Sequence, residues 1–376
     1  MRGNYEGQAA MLCIISPDQR VPKEHPLRRI KAMADKELNN LSPVFEKMYS
    51  FTGRPSIPPE RILKSMLLIA LYSIRSERQF CEQLDYNLLF RWFLDMDIIE
   101  DSFDHSVFTK NRERLMEHEV HSLFFDAVVN HARNTGLMSD DHFTVDGTLI
   151  DAWASLKSFR PKGEDPSLCP TDGDKSNPTI DFSGEKRKNE THSSTTDPES
   201  RLMRKSFGDK AKLSYGAQAL MENRNGLLVD IMVTRANRSS EWDACEDMLT
   251  CLCYSRQARQ KRKGIKPKTL GGDKGYDTRG FVSMLKKREI TPHVSQNSKR
   301  KGGSAIDNRT TRHLGYTISQ RIRKRVEEIF GWMKTIGGFR KTRFRGRCRT
   351  QLQAWFVGTA YNLLRMAKLI PQEAAV

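Results

Sequence analysis

The order of secondary-structure signals after residue 140 limits the possible folds of this chain more than any other feature. Residues 141–147 read as a strand. Lys212–Met221 alternates apolar and polar residues, Asn225-Gly226 is a strong hairpin turn, and Leu227–Thr234 reads as the return strand. Glu241 to about Gln257 carries Trp242, Cys245, Met248, Leu249 and Leu252 at helical spacing. Thr269–Asp273 reads as a strand, Asp277–Lys287 as a helix, Ile290–Val294 as a strand and Gln320–Thr335 as a helix. Three strands, then helix, strand, helix, strand, helix, predict an α/β domain with a mixed sheet flanked by helices.

That order is the one found in the ribonuclease H-like fold. The part before it differs in kind. Residues 57–135 read as helical: Pro58-Pro59-Glu60 opens a helix, and Ile62, Leu63, Met66, Leu67, Ala70 and Leu71 follow at helical spacing. Ser76 with Gln79 predicts a capping box. Asp104-His105-Ser106 caps a further helix whose polar side is assigned Lys110, Arg112 and Arg114. Helices joined by short turns, with that basic set, point to an all-helical DNA-binding domain. The predicted division is a segment 1–50, a helical DNA-binding domain 51–138, a ribonuclease H-like catalytic domain 139–347, and a C-terminal helix 348–376. A polar stretch at about 157–205 is too poor in apolar residues to order itself and reads as a mobile insert.

The net charge is +17, which points to a polyanionic partner. The charge is clustered: Arg321 to Thr350 holds eleven Lys or Arg against two Glu. Further runs begin at Arg256, Lys286 and Lys299. The longest apolar stretch, Met66–Tyr72, is far short of the roughly 20 residues that span a bilayer. Seven scattered cysteines without a Cys-x2-Cys pair fit reduced thiols in the cytoplasm and not a zinc site.

Against this basic background three carboxylates stand out. Asp146 ends the strand His142–Val145, Asp273 ends the strand Thr269–Gly272, and Glu327 lies on a helix with Arg323 and Lys334. At 100° per residue, 323, 327 and 334 share one face, while Glu328 turns away. Carboxylates at adjacent strand ends, with a third from a packed helix, suit hard divalent cations and phosphodiester cleavage. Asp151 and Asp277 are rivals, and Asp273–Asp277 is equally readable as a turn with Asp277 as a helix cap. Phe339–Arg349 interleaves Phe with Arg340, Lys341, Arg343 and Arg345, a pattern of phosphate-tracking and base-stacking surfaces.

These blocks also carry a family resemblance. Asp146-Gly147-Thr148-Leu149-Ile150-Asp151-Ala152-Trp153-Ala154-Ser155, Gly272-Asp273-Lys274-Gly275-Tyr276-Asp277, and the stretch from Gln320 to Lys334 with Arg-x3-Glu-x6-Lys resemble the three acidic blocks of bacterial insertion-sequence transposases of the IS5 group. Phe90–Leu94, Asp104–Arg112 and Gly337–Gly346 resemble the same group. The resemblance implies a DDE transposase that binds terminal inverted repeats in double-stranded DNA. It implies two Mg²⁺ or Mn²⁺ ions on Asp146, Asp273 and Glu327. Arg323 and Lys334 would hold phosphates, and Arg340, Lys341, Arg343, Arg345, Lys110 and Arg112 would contact DNA. A freed 3′-hydroxyl would join target DNA, with at least a dimer on paired ends, in the nucleoid-bearing cytoplasm of a bacterium. This chain departs at Gln320, where relatives often have Tyr (Tyr316 lies one turn earlier), and at Arg238 and Ser239, where they often have His and Asp. An inactive DNA-binding relative acting as a repressor, or a metal-dependent nuclease without strand transfer, are the competing readings.

Overall fold

The computed structural model describes residues 16–50, 52–53, 55–163, 187–206, 208–237, 240–253, 265–300 and 302–370. Arg238, Ser239 and most of the basic run from Arg256 lie outside the described residues. The first part is helical: α1 (Pro17–Arg20), α2 (Pro26–Asn40), α3 (Ser42–Met48), α4 (Pro59–Leu71), α5 (Glu77–Tyr86), α6 (Leu88–Phe93), α7 (Ser106–Glu117) and α8 (Val120–Asn134). The region begins earlier than residue 51. Leu27, Ile30, Met33, Ala34 and Leu38 form a buried stripe on α2, and the helix packs on α4 and α8. The Ser76 hydroxyl caps α5 by accepting from Gln79 N at 3.1 Å, while Gln79 reaches back to Arg75 N instead of Ser76 N.

The second part follows as β1 (His142–Asp151), β2 (Phe159–Pro161), β3 (His192–Ser194), β4 (Arg201–Met203), β5 (Lys212–Glu222), β6 (Leu227–Arg235), α9 (Ser240–Cys253), β7 (Thr269–Gly272), α10 (Arg279–Lys287), β8 (Thr291–Val294), α11 (Asn308–Arg312), α12 (Leu314–Ile322), α13 (Val326–Thr335) and α14 (Arg347–Leu369). The main sheet runs β6-β5-β1-β7-β8, with β4 extending the line of β6 along β5. β1 is antiparallel to β5 and parallel to β7, and β7 is parallel to β8. Numbered along this sheet the strand order is 3-2-1-4-5 with only the second reversed. That is the ribonuclease H-like arrangement expected from the sequence. β5 is buried on both faces, because helices cover a central strand from both sides. Buried Glu222 staples the Asn225-Gly226 turn, accepting from Arg224 N at 3.0 Å and Asn225 N at 2.9 Å.

The polar stretch corrects one expectation. Residues 164–186 lie outside the described residues, but 187–205 are not a mobile insert. β3 pairs with β2 and β4 pairs with β5. Between them Asp197 is buried, accepting from Tyr215 Oη at 2.7 Å, while its backbone N–H donates to Ser194 Oγ at 3.0 Å. Polar hydrogen bonding around Asp197, together with strand pairing, holds this segment where apolar burial does not.

α14 ties both parts together. It packs on α2, α4 and α8 on one side and on β6 on the other. Its Gln351 side chain accepts from Val233 N at 2.6 Å and donates to Ile231 O at 2.8 Å. Asn362 accepts from Leu228 N at 2.9 Å and donates to Leu228 O at 2.7 Å. Eleven helical residues advance roughly 16 Å, and the strand from 228 to 233 about 17 Å. The two amides therefore match the edge of β6 in length and satisfy backbone groups a bare edge would leave open. Among the described residues no helix is long and apolar enough to cross a membrane.

Candidate active site

Alternation along β1 places Thr144, Asp146 and Thr148 on one face and Phe143, Val145, Gly147 and Leu149 on the other. Thr144 is paired with Gly271, the last paired position of β1 and β7, so Asp146 follows that pairing by two residues on β1 as Asp273 does at the end of the adjacent parallel strand. β7 ends at Gly272, and Asp273 then turns out. Its Oδ1 accepts from Gly275 N at 2.8 Å and caps a short 3-10 turn, leaving the residue exposed. Gly271 and Gly272 are small for a reason. A Cβ on Gly271 would lie 3.2 Å from Thr144 Oγ1 and 3.7 Å from Arg323 Cβ, and one on Gly272 would press on the Tyr276 ring at 3.3 Å.

The expected single helix Gln320–Thr335 is broken. Arg323–Arg325 form a 3-10 turn between α12 and α13, so counting 100° per residue across 323–327 does not hold. Arg325 in that turn donates to the carbonyls of Asn223 and Arg224, each at 3.2 Å. Even so, Arg323 and Glu327 both act electrostatically on Asp146. Lys334 donates to Thr148 Oγ1 at 2.6 Å, two residues along β1 from Asp146 and on the same face. Burial pulls the Lys334 ammonium below the usual lysine range, with nearby Lys205 adding to the effect.

Asp146 is the electrostatic centre. Burial pushes its carboxyl up to about 6, opposed by the hydrogen bond from Gly147 N at 2.8 Å and reinforced by the negative charge of Asp273. Glu327 raises it further and Arg323 lowers it. Among the described residues none of Asp146, Asp273 and Glu327 has a salt-bridge partner within 4.0 Å. Nor, among the described residues, do any three acidic, His or Cys side chains stand close enough to chelate one ion. The donors are nevertheless all hard oxygens, and the uncompensated negative charge at a buried carboxyl is of the kind a divalent cation relieves. By charge and donor chemistry the set suits Mg²⁺ or Mn²⁺.

The rivals do other work. Asp277 is buried and accepts from Asn297 N at 2.7 Å and Ala305 N at 2.9 Å, holding the loop after β8. It does not cap α10; Thr278 does, accepting from Phe281 N at 3.2 Å. Asp151 pairs with Lys212 at 2.8 Å. Gln320 donates to His293 O at 2.6 Å and Tyr316 to Val294 O at 3.0 Å. Both residues of the departing motif thus fasten α12 to the end of β8.

Two DNA-contact assignments are corrected. Arg112 is buried, ion-paired with Glu77 and stacked 4.5 Å from the Phe344 ring. Residues two apart on a helix point about 200° apart, so Arg112 cannot share the solvent face of Lys110 and Arg114. Arg343 also turns inward, donating to Ile74 O at 2.5 Å. Phe339 is a core residue and Phe344 covers Arg112, so neither offers a base-stacking face. Lys110, Arg340, Lys341 and Arg345 are exposed. Trp153, which the sequence did not single out, is 49% exposed, with Lys341 Nζ 5.5 Å from its ring.

Comparison with known families gives two matches in series: a transposase domain over residues 15–114, and a transposase DDE domain over residues 187–363. The second contains Asp273 and Glu327, while Asp146 lies between the two. No curated protein matches the chain. Among solved structures, a pre-cleavage Mos1 transpososome is similar at 10% identity and a TM-score of 0.21, covering 84% of this chain and 82% of that one. A Mos1 strand transfer complex is similar at 10% identity and a TM-score of 0.20, covering 84% and 79%.

Proposed function

From the premise that this chain belongs to the DDE transposases, as its two family domains establish, we propose that Asp146, Asp273 and Glu327 form its cutting and joining site. The observation that carries this reading is that the negative charges of Asp273, at the end of β7, and of Glu327, on α13, both act on buried Asp146 of β1, without a paired cation among the described residues. Divalent cations bound there would stabilise the charge of the phosphoryl transition state and activate the attacking water or 3′-hydroxyl. The chain's own groups supply the rest. Gly147 N orients Asp146, and the Gly275 N–H orients Asp273. Thr148 steadies the Lys334 ammonium beside the site, where it can hold a DNA phosphate. Arg323 sits close enough to temper the negative charge. Exposed Arg340, Lys341 and Arg345 extend a basic track for duplex DNA, with Lys110 on the helical region. On this reading the enzyme cleaves at the terminal inverted repeats of its element and joins the 3′-hydroxyl to target DNA, two copies acting on paired ends.

The test is cleavage of a labelled fragment carrying the element's end, with Mg²⁺ and with EDTA, for wild type and Glu327→Gln. Nicking that needs Mg²⁺ and is lost in the variant supports the assignment. Nicking that survives EDTA, or is unchanged in Glu327→Gln, overturns it. Nicking without strand transfer would leave a nuclease.

A further inference from the structure

The basic run that begins at Lys286 takes no part in the proposed cutting site. It belongs to α10. Arg279, Ser283, Lys286 and Lys287 stand at i, i+4, i+7 and i+8, so they share the exposed side of the helix, while Phe281 and Leu285 are buried. With Ser304 and Ala305 of the loop after β8 they line an open groove of about 690 Å³, and no acidic side chain lines it among the described residues.

The three cations are unmatched. Among the described residues the side chains of Arg279, Lys286 and Lys287 have neither a hydrogen-bond nor an ion-pair partner. Cations close by in the chain are matched: Arg288 pairs with Glu246 at 3.2 Å, Lys268 with Asp141 at 2.6 Å, and Lys266 with Glu289. The helix itself accounts for only part of the set. Lys286 and Lys287 lie in the last turn of α10, where a cation suits the helix dipole, but Arg279 is the first residue, where a cation opposes it.

α10 leaves the end of β7 just after Asp273 and leads to the start of β8. Because β7 and β8 are parallel, it runs back against both. From Arg279 to Lys286 the groove extends about 10 Å along the helix axis. The Arg340–Lys341 segment lies the other way. Asp151 N donates to Arg340 O at 3.0 Å, and Asp151 is five residues past Asp146, roughly 17 Å further along β1. Asp146 and Asp273 thus stand between two basic surfaces, one ahead of them along the strands and one running back.

We propose that the α10 groove is a second, sequence-independent duplex-DNA site, which holds target DNA while the terminal repeat lies on Arg340, Lys341 and Arg345. Lysine, arginine and serine donors on an open groove grip phosphates, which suits DNA of arbitrary sequence. Flanking donor DNA is covalently joined to an end the protein already holds and needs no site of its own. Target arrives as a free duplex and does need one. The inference rests on reading Asp146, Asp273 and Glu327 as the site that cuts and joins.

The experiment compares the wild-type full chain with the triple variant Arg279→Ala, Lys286→Ala, Lys287→Ala. Three quantities are measured: Mg²⁺-dependent cleavage of a labelled element end, joining of a pre-cleaved end to a random-sequence duplex, and the salt dependence of binding that duplex alone. Joining reduced about tenfold or more, a salt slope lower by about two to three, and end cleavage within about twofold of wild type support the proposal. Joining at the wild-type level, or an unchanged salt slope, overturns it. Slower cleavage of an end with a long flank, with normal joining of the pre-cleaved end, gives the groove to the flank and also overturns it. A wild-type chain that neither cuts nor joins overturns the parent reading and the target assignment with it. If circular dichroism shows the triple variant unfolded, Lys286→Gln with Lys287→Gln replaces it and is read in the same way.

Discussion

The helical region and the sheet domain handle charge in opposite ways. In the helices, cations are matched with anions: Lys64, 3% exposed, sits between Asp35 at 2.9 Å and Asp95 at 2.6 Å, Lys31 reaches the same two acids, and Arg112 pairs with Glu77. Glu37 meets His131 at 2.8 Å. In the sheet domain, Asp146, Asp273 and Glu327 act on one another without cationic partners within salt-bridge distance among the described residues. Matched charge builds a scaffold, because a buried ion is tolerated only when paired. Unmatched charge of one sign is strain kept in place by the surrounding fold, and it marks where a counter-ion belongs.

Four predictions bear on that contrast. The largest effect is on chemistry: Asp146→Asn lowers Mg²⁺-dependent end cleavage by more than about 10³-fold, the scale of charge stabilisation a catalytic metal supplies. Binding of the end in a gel-shift assay stays within about twofold, because the direct phosphate contacts lie elsewhere. Equal loss of both would erase the distinction between site and scaffold.

Second, Lys64→Met costs about 2–3 kcal/mol in urea unfolding. That is below the usual 3–5 kcal/mol for a broken buried pair, because the Asp95 side chain is 62% exposed and can take up water. No change would mean that the matched charges are ornamental.

Third, the same Asp146→Asn substitution stabilises the fold at pH 7. The Asp146 carboxyl titrates near 6 in the folded chain against 3.8 unfolded, so the folded state holds its proton more tightly. Its ionisation is a cost absent below about pH 4, growing through pH 4–6 and fully present above 6. The variant should therefore melt higher than wild type at pH 7, by up to about 2 kcal/mol after allowance for partial exposure, with the gap closing towards pH 4. A gap that is constant from pH 4 to 7 would refute the unmatched-charge picture.

The smallest effect separates neighbours on α7. Lys110→Ala reduces the salt dependence of DNA binding by about one unit of slope without changing the melting temperature, whereas Arg112→Ala lowers the melting temperature. Reversed results would return Arg112 to the DNA face.

How much of this was legible beforehand follows from what each residue's role depends on. The strand order and the Asn225-Gly226 hairpin were readable because periodicity and turn chemistry are local. Asp146 and Asp273 were readable because each follows a short apolar run in a recognisable block, although β1 continues past Asp146 to Asp151. The inward turn of Arg112 was hidden, since a Lys-x-Arg-x-Arg string reads as uniformly basic until helical geometry separates alternate positions. The break at Arg323–Arg325 was hidden because its hydrogen-bond acceptors lie a hundred residues away, at Asn223 and Arg224. The order of residues 187–205 was missed because composition measures apolar burial and cannot see the hydrogen bonds that Asp197 makes with Tyr215 and Ser194.

The docking of α14 along β6 has a consequence for how the protein comes into being. Gln351 and Asn362 close the sheet's edge, and Arg29 near the start of the chain donates to Ala367 O and Ile370 O at the far end of the same helix. During synthesis β6 leaves the ribosome more than a hundred residues before the helix that covers it. Until then the nascent sheet carries an open, strand-accepting border. A copy cut short anywhere before α14 keeps that border permanently. Such fragments should self-associate and be cleared by the cell rather than persist as competitors for DNA, so that damage to the gene's last segment silences it without poisoning intact copies.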